Sequence, residues 1–304
     1  KMPNSKEIKS RIKSVKNTGK ITKAMELIST VKMKKAQEAV VGLRPFALAT
    51  LSILGKIAQS DDVLWVFAKS PKVTKELIIL VAAQKGLCGG YNTNVFKKTT
   101  EYIRDDSDTP YTREYHYITI GKRARDFILR TGQHLVADFS DEMKDPLTPA
   151  ESRRMVRAVV DLWKSENYAK VSIVYNHYVS AITQVPTVKT LFPVNRDDIF
   201  SFLERYAGGK YEPETYEGAY TVEPDAETIV TMTIPLILDG IVHETLLEAK
   251  ASEHASRMVA MKNAKDSANK KASGLTLVYN KTRQAAITKE VSEIVSGVES
   301  MKDA

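Results

Sequence analysis

Residues 5–58 and 225–303 each carry a helical apolar pattern that runs on far past the length a rounded core accommodates, and this pair of stretches constrains the fold of the 304-residue chain more than any other feature. At ~1.5 Å per residue the first would span roughly 80 Å and the second on the order of 115 Å. A helix with one apolar stripe must bury that stripe against another element. Two such helices at opposite ends of one chain fold most economically back on each other, which predicts an antiparallel two-helix coiled coil.

The first stretch opens at Asn4 or Ser5 as N-cap, with Glu7 placed for a capping box. Lys6, Lys9, Lys13, Lys16, Lys20 and Lys23 recur at spacings of three and four, and Ile8, Ile12 and Val15 repeat likewise on the opposite side. Farther along, Ile21, Ala24, Met25, Ile28 and Val31 supply the expected apolar set, punctuated only by Gly42 and Pro45. The second stretch begins after Pro224, with an interruption expected at Pro235 and another at Gly240. Ala260, Ala264, Ala268 and Ala272 stand four apart, where small side chains let a neighbouring helix approach closely. Val291, Ile294, Val298 and Met301 then give a 3-4-3 seam of the left-handed coiled-coil kind.

Between the helices the pattern changes. The aliphatic run at 76–83 (ELIILVAA) is too short for a buried helix and suits a buried parallel strand. After a glycine turn the pattern predicts a helix at 93–104, a strand at 115–120, a helix at 122–131 and a strand at 134–139. A helix opened by Thr148 or Pro149 and ending near 166 follows, then strands at 170–175 and 185–192. Alternation at this spacing describes a central Rossmann-like α/β domain. Residues 206–224, rich in Gly, Pro, Tyr and Glu, read as an exposed linker or foot. The expected division is therefore 1–60 for the first helix, 75–205 for the α/β domain, 206–224 for the foot and 225–304 for the second helix.

Composition excludes several classes of function. Cys88 is the only cysteine, so an intrachain disulfide, a multi-cysteine metal site and a dithiol switch are all ruled out. No apolar run is long enough to cross a membrane, so any membrane association is expected to be peripheral. The first residues lack the apolar core of a secretory signal, and the helical pattern continuing past residue 40 argues against a mitochondrial presequence. The net charge of +8 invites nucleic acid, anionic lipid or an acidic protein as partner. The lysine stripe would supply the counterion-release drive of a nucleic-acid binder, but no aromatic residue is interleaved with it and arginine is scarce. An acidic protein surface explains the same stripe and is the favoured reading.

Residues 86–90 (GLCGG) occupy the strand-to-helix position of a phosphate-binding turn. Neither G-x-x-x-x-G-K-[ST] nor G-x-G-x-x-G is present, and Gly121 and Lys122 stand where a ribose-binding acid belongs. Gly86, Gly89 and Gly90 are therefore expected to serve a tight turn, with no cofactor. Cys88 has no His or Asn spaced to activate it and is read as structural. His116, His134, His177, His243 and His254 never fall at H-x-x-x-H or H-E-x-x-H spacing, which argues against a zinc site. Carboxylate spacing nominates no acid/base pair, so no catalytic site is expected.

Four stretches turn this outline into a resemblance. Residues 7–39 (EIKSRIKSVKNTGKITKAMELISTVKMKKAQEA) look like the N-terminal helix of F-type ATP synthase gamma subunits, and 86–92 (GLCGGYN) match that family's glycine turn. Residues 253–264 (EHASRMVAMKNA) and 278–297 (VYNKTRQAAITKEVSEIVSG) resemble its C-terminal helix, with the signature I-T-x-E-x-x-E-x-x-x-G at Ile287, Thr288, Glu290, Glu293 and Gly297. Val298 replaces the usual alanine after that glycine, Gln84-Lys85 replaces Asp-Arg before GLCGG, and the 206–220 segment is longer than the family norm.

The resemblance implies a non-catalytic central shaft threaded through three alpha and three beta subunits, with epsilon, delta and the membrane c ring as further partners and no nucleic acid. It implies that Arg283 and Gln284 meet the catch loops of the beta subunits, with Thr288 and Glu290 nearby. Met25 and Arg257, together with the stripe at Lys9, Lys13, Lys16 and Lys20, would lie in the shaft near the catalytic levers, and Tyr220 and Glu223 in the foot toward the c ring. The missing dithiol insertion argues against a redox-regulated chloroplast form, and the overall pattern favours the cytoplasmic face of a bacterial inner membrane.

Overall fold

A computed structural model describes residues 5–57, 75–106, 114–142, 144–166, 168–193 and 225–302. The expected cap at Asn4, the end of the first helix at 58 and the whole foot at 206–224 lie outside them. The elements in chain order are α1 (Ser5–Ile57), β1 (Lys75–Val81), α2 (Tyr91–Asp106), β2 (Glu114–Ile120), α3 (Lys122–Arg130) and β3 (His134–Asp138). A short 3-10 turn at Ser140–Glu142 precedes α4 (Pro149–Ser165), β4 (Lys170–Tyr178), β5 (Gln184–Phe192) and α5 (Ala226–Lys302). Contacts divide the chain into two compact units, Lys1–Ser29 with Met258–Ala304, and Thr30–Arg257.

In the first unit, α1 turns inward at a heptad repeat. Ile8, Thr22 and Ser29 are buried with Val15 half-buried, and Gly19 is buried with Ile12 and Glu26 half-buried at the intervening positions. Against them stand Met261, Ala264, Lys265, Ala268, Ala272 and Leu275 of α5, all buried or half-buried. A methyl group on Gly19 would lie 3.6 Å from the Cβ of Ala268 and 3.4 Å from Oδ1 of Asn269. Lys265 Nζ meets Glu26 Oε2 at 2.7 Å. Residue numbers thus fall along α5 as they rise along α1.

Two expectations need correction here. Ile21, Ile28 and Val31, read as seam residues, are more than half exposed, and Ala24 is exposed as well. The heptad starting at Ile8 lands on Gly19 and Thr22 instead, and one residue of offset turns a side chain by about 100° around the helix. The apolar set at Val291, Ile294, Val298 and Met301 is also exposed, by 53, 66, 50 and 82 %. The pairing places Gly19 beside Ala268 and Glu26 beside Lys265, so α1 is exhausted before α5 reaches that set.

The second unit is built on a five-stranded sheet of order β3-β2-β1-β4-β5. β1 pairs in parallel with β2 and β4, β2 pairs in parallel with β3, and β5 closes the edge antiparallel to β4. β1 is the central strand, which is why its sequence is an unbroken aliphatic run: both faces are covered. Leu77, Ile79 and Val81 point into one core with Met155, Val156 and Val159 of α4 and Leu238, Ile241 and Val242 of α5. Ile78 and Leu80 point the other way, toward Val95 of α2 and Ala124 and Ile128 of α3. Thr148 and Glu151 form the N-terminal capping box of α4, the Glu151 carboxylate accepting from the Thr148 backbone N–H at 2.8 Å.

The interruption expected at Pro235 and Gly240 does not occur, and α5 is one helix through both. A proline inside a helix costs about 3 kcal/mol or more. Burial of Ile237, Leu238, Ile241, Val242, Leu246 and Leu247 on the same turns offsets it, at about 1.5–3 kcal/mol for each large side chain.

Candidate functional site

The residues at 86–90 form a turn whose carbonyl oxygens are engaged by α5. Ser256 Oγ donates to the Cys88 carbonyl at 2.7 Å, and Arg257 Nη2 donates to the Lys85 carbonyl at 3.2 Å. The Arg257 guanidinium is itself held by Glu253 Oε1 at 2.6 Å, one helical turn back. Tyr91 Oη reaches the Ala249 carbonyl at 3.0 Å, and Asn92 Oδ1 accepts the Ala83 backbone N–H at 2.9 Å. Leu87 and Gly89 adopt positive φ of 62° and 56°. Through these carbonyl contacts the turn fastens the end of β1 to α5. The same edge explains Gly121: it has φ +94°, and a Cβ there would fall 2.0 Å from the Ala82 carbonyl oxygen.

Cys88 is buried in this turn. Burial pushes its thiol up, with the nearby Arg257 opposing, which is the reverse of what an activated nucleophile needs. Asn92 Nδ2 donates to its sulfur at 3.3 Å.

A second fastening comes from Asp145, in the loop before α4. Its carboxylate accepts from Lys32 of α1 at 3.0 Å and from Lys250 of α5, and His254 Nε2 stands 3.4 Å away. Burial alone would push this carboxyl up, but the hydrogen bonds from His254, Lys250 and Lys32 prevail and hold it well below the usual carboxylate range. A cleft of about 190 Å³ lies beside it, lined by Lys32, Lys35, Ala36, Leu147, Leu247 and Lys250. Asp145, His254, Ser256 and Tyr91 are not nominated by the sequence, and Lys250 and Glu253, which their helical charge spacing marks as part of a solvated face, are only 5 and 7 % exposed. Glu253, His254, Ser256 and Tyr91 lie in stretches that carry the resemblance, but nothing local marks these contacts, and only tertiary packing brings the six residues into them.

The residues nominated for partner contacts fall into four groups. Lys9, Lys13, Lys16 and Lys20 are exposed on α1 and Met25 is half-buried. Arg283, Gln284, Thr288 and Glu290 are exposed on α5, with Lys289 and Glu293 paired at 3.6 Å beside them. Arg257 is 9 % exposed, with its guanidinium turned to Glu253 and the glycine turn. Tyr220 and Glu223 lie outside the described residues. Large apolar side chains crowd the exposed faces of both helices: Ile21, Leu27 and Ile28 on α1, and Leu277, Val278, Ile287 and Val295 on α5. No described helix is long and apolar enough to cross a membrane.

The described residues thus comprise a mostly parallel α/β sheet with helices on both faces, and a pair of helices that exposes both large apolar side chains and a lysine stripe. A sequence model of the ATP synthase family matches residues 4–301. The chain is 36% identical over 308 residues to the ATP synthase gamma chain of Roseiflexus castenholzii, covering 99% of this chain and 100% of the relative. It is 34% identical over 304 residues to that of Pelotomaculum thermopropionicum, with 99% and 100% covered. The fold matches a chain in a cryo-EM structure of the Euglena gracilis mitochondrial ATP synthase comprising OSCP, F1 and c-ring, at a TM-score of 0.61 and 17% identity, covering 98% of this chain and 94% of that one. The chain belongs to the gamma-chain family of F-type ATP synthases, the central-stalk subunits with a rotor role.

Proposed function

We propose that the N- and C-terminal helices form an antiparallel coiled coil that turns inside a ring of three alpha and three beta subunits, coupling ion flow through a c ring to ATP synthesis or hydrolysis on the beta subunits. The full-length similarity to curated gamma chains carries this reading. The heptad repeat of buried positions on α1 supports the coiled coil, because a strict seven-residue repeat keeps one seam facing its partner. The sheet order, with helices on both faces, supports a Rossmann-like domain in 75–205, with 1–60 and 225–304 as the shaft helices and 206–224 as the foot.

The chain supplies no catalytic group of its own, and ATP chemistry stays in its partners. Arg283, Gln284, Thr288 and Glu290 offer exposed polar groups to the beta catch loops, and Lys9, Lys13, Lys16 and Lys20 present a positive face to acidic levers. Tyr220 and Glu223 belong to the foot that meets epsilon and the c ring, with delta in the same complex. Rotation would give each catalytic site a different face of the shaft and shift its population among open and closed states by differential contact. The chain would sit peripherally, through the c ring, on the cytoplasmic side of a bacterial inner membrane and would bind no nucleic acid.

The test is reconstitution. Co-purification of the full chain should recover three alpha and three beta subunits per copy. Replacing the four lysines by glutamine should lower proton-driven ATP synthesis in the assembled complex by several-fold while leaving assembly intact. A stable lone monomer that acts on a small molecule would overturn the shaft reading, and unchanged synthesis would overturn the electrostatic part.

A further inference from the structure

Cross-strand pairing joins residues that sequence spacing keeps apart. His116 of β2 and His134 of β3 are direct Cα partners in the sheet, and their rings stand 4.2 Å apart. Glu114, two residues before His116 on the same strand face, brings its Oε1 to 2.8 Å from His116 Nε2. One donor atom from each of the three lies within 4.8 Å of the others. Local H-x-x-x-H spacing tests only for ligands on one helix and is blind to this arrangement.

From this cluster we infer that Glu114, His116 and His134 form a binding site for a divalent first-row transition-metal ion of the zinc type, with the remaining coordination position open to solvent. The donor set of two imidazoles and one carboxylate is one zinc accepts with water in fourth place. A tetrahedral site with bonds of about 2.0–2.1 Å holds its donors about 3.3 Å apart. Glu114 and His134 are exposed and have room to close to that separation, while His116 is buried and fixed.

What fixes it is a partner behind the ring. His116 Nδ1 is 2.7 Å from the hydroxyl of Tyr168, itself buried. Ligating histidines characteristically use the second ring nitrogen in this way, setting the tautomer and aiming the first. The Tyr168 hydroxyl serves both states. With Nε2–H donating to Glu114, the phenol donates to Nδ1. With a metal on Nε2, the ring proton resides on Nδ1 and the phenol oxygen accepts it. The ion would clip the first residues of β2 to those of β3, at the end of the sheet opposite the glycine turn.

The experiment uses the tag-free full chain, stripped with chelator and titrated with Zn2+ by calorimetry, and with Co2+ by visible absorption. One Zn2+ per chain is expected, with Co2+ giving the intense bands of a low-coordinate site. Glu114→Gln and His134→Ala change exposed side chains and leave the fold in place, so each should weaken Zn2+ at least about tenfold, a loss of the size seen even for outer-shell partners. His177→Ala is the control: His177 pairs with Glu248 at 2.8 Å elsewhere in the domain, and its loss should change nothing. Absence of stoichiometric binding, unchanged affinity in either ligand variant, or loss of binding in His177→Ala would each overturn the site.

Discussion

Replacing Asp145 by alanine should be among the most destabilising single changes outside the apolar core. Its three partners differ in exposure, and that difference sets the magnitude. The Lys32 side chain is 44% exposed, so its pair contributes under about 1 kcal/mol. Lys250 is only 6% exposed, and removing the carboxylate strips a buried ammonium of this counter-charge. Such a loss costs about 3–5 kcal/mol, and the 30% exposure of Asp145 itself argues for the low end. About 3 kcal/mol lowers Tm by about 6–12 °C in a domain of this size. The assay is thermal unfolding of the full chain, comparing Asp145→Ala with Lys32→Ala. Because a buried pair replaced by apolar residues is often neutral, the double change Asp145→Leu with Lys250→Met should recover most of the loss. If Asp145→Ala costs no more than Lys32→Ala, the buried pair does not hold the loop to α5 and the reasoning fails.

The same carboxylate predicts an acid limb. Its folded value is depressed below an unfolded value near about 3.9, so its contribution is complete above that pH and is lost as pH falls below it; a Tm profile from neutral to strongly acid pH should be flatter on that limb in Asp145→Asn. Gly121→Ala forces a side chain onto positive φ and against the Ala82 carbonyl, and should cost about 2–4 kcal/mol, whereas Gly132→Ala, with φ +67° but open space, should cost only about 1–2 kcal/mol in the same unfolding assay. Gly19→Ala should be neutral or stabilising by up to about 1 kcal/mol through helix propensity, because its methyl group meets Ala268 at ordinary contact distance, and Gly19→Leu should destabilise the helix pair; circular dichroism melts distinguish the two.

Legibility in the sequence followed the range of the interactions concerned. The central strand at 76–83, the strands at 115–120 and 134–139 and the proline-opened α4 rest on local pattern and capping chemistry, and the structure places them within two residues at their starts. The seam of α1 was half legible. Ile8, Ile12 and Val15 announced it, but Gly19, Thr22 and Ser29 continue it with residues that hydrophobicity does not mark. Pro235 was misread because a propensity cost is local and the burial that overrides it is tertiary. The spacing of the glycine turn announces a tight βα turn, yet its attachment to Ser256 and Arg257 spans about 170 residues and leaves no periodic trace.

The small residues of the seam also bear on the outer faces of the two helices. A helix that meets its partner through Gly19, Thr22, Ala268 and Ala272 has little apolar side chain to bury there, because close backbone approach does the packing. Yet both helices remain rich in large aliphatics, and these stand on the uncovered sides: Ile21 is 60% exposed and Leu277 72%. Hydrophobicity on more than one face is the pattern of a helix enclosed on several sides, and contiguous apolar surface on a folded chain marks contact with another macromolecule. The residues that fail to pack within the chain are therefore the ones best placed to be covered by a surrounding collar. In the shaft proposed above, cover from other subunits would add to the stability of the pair.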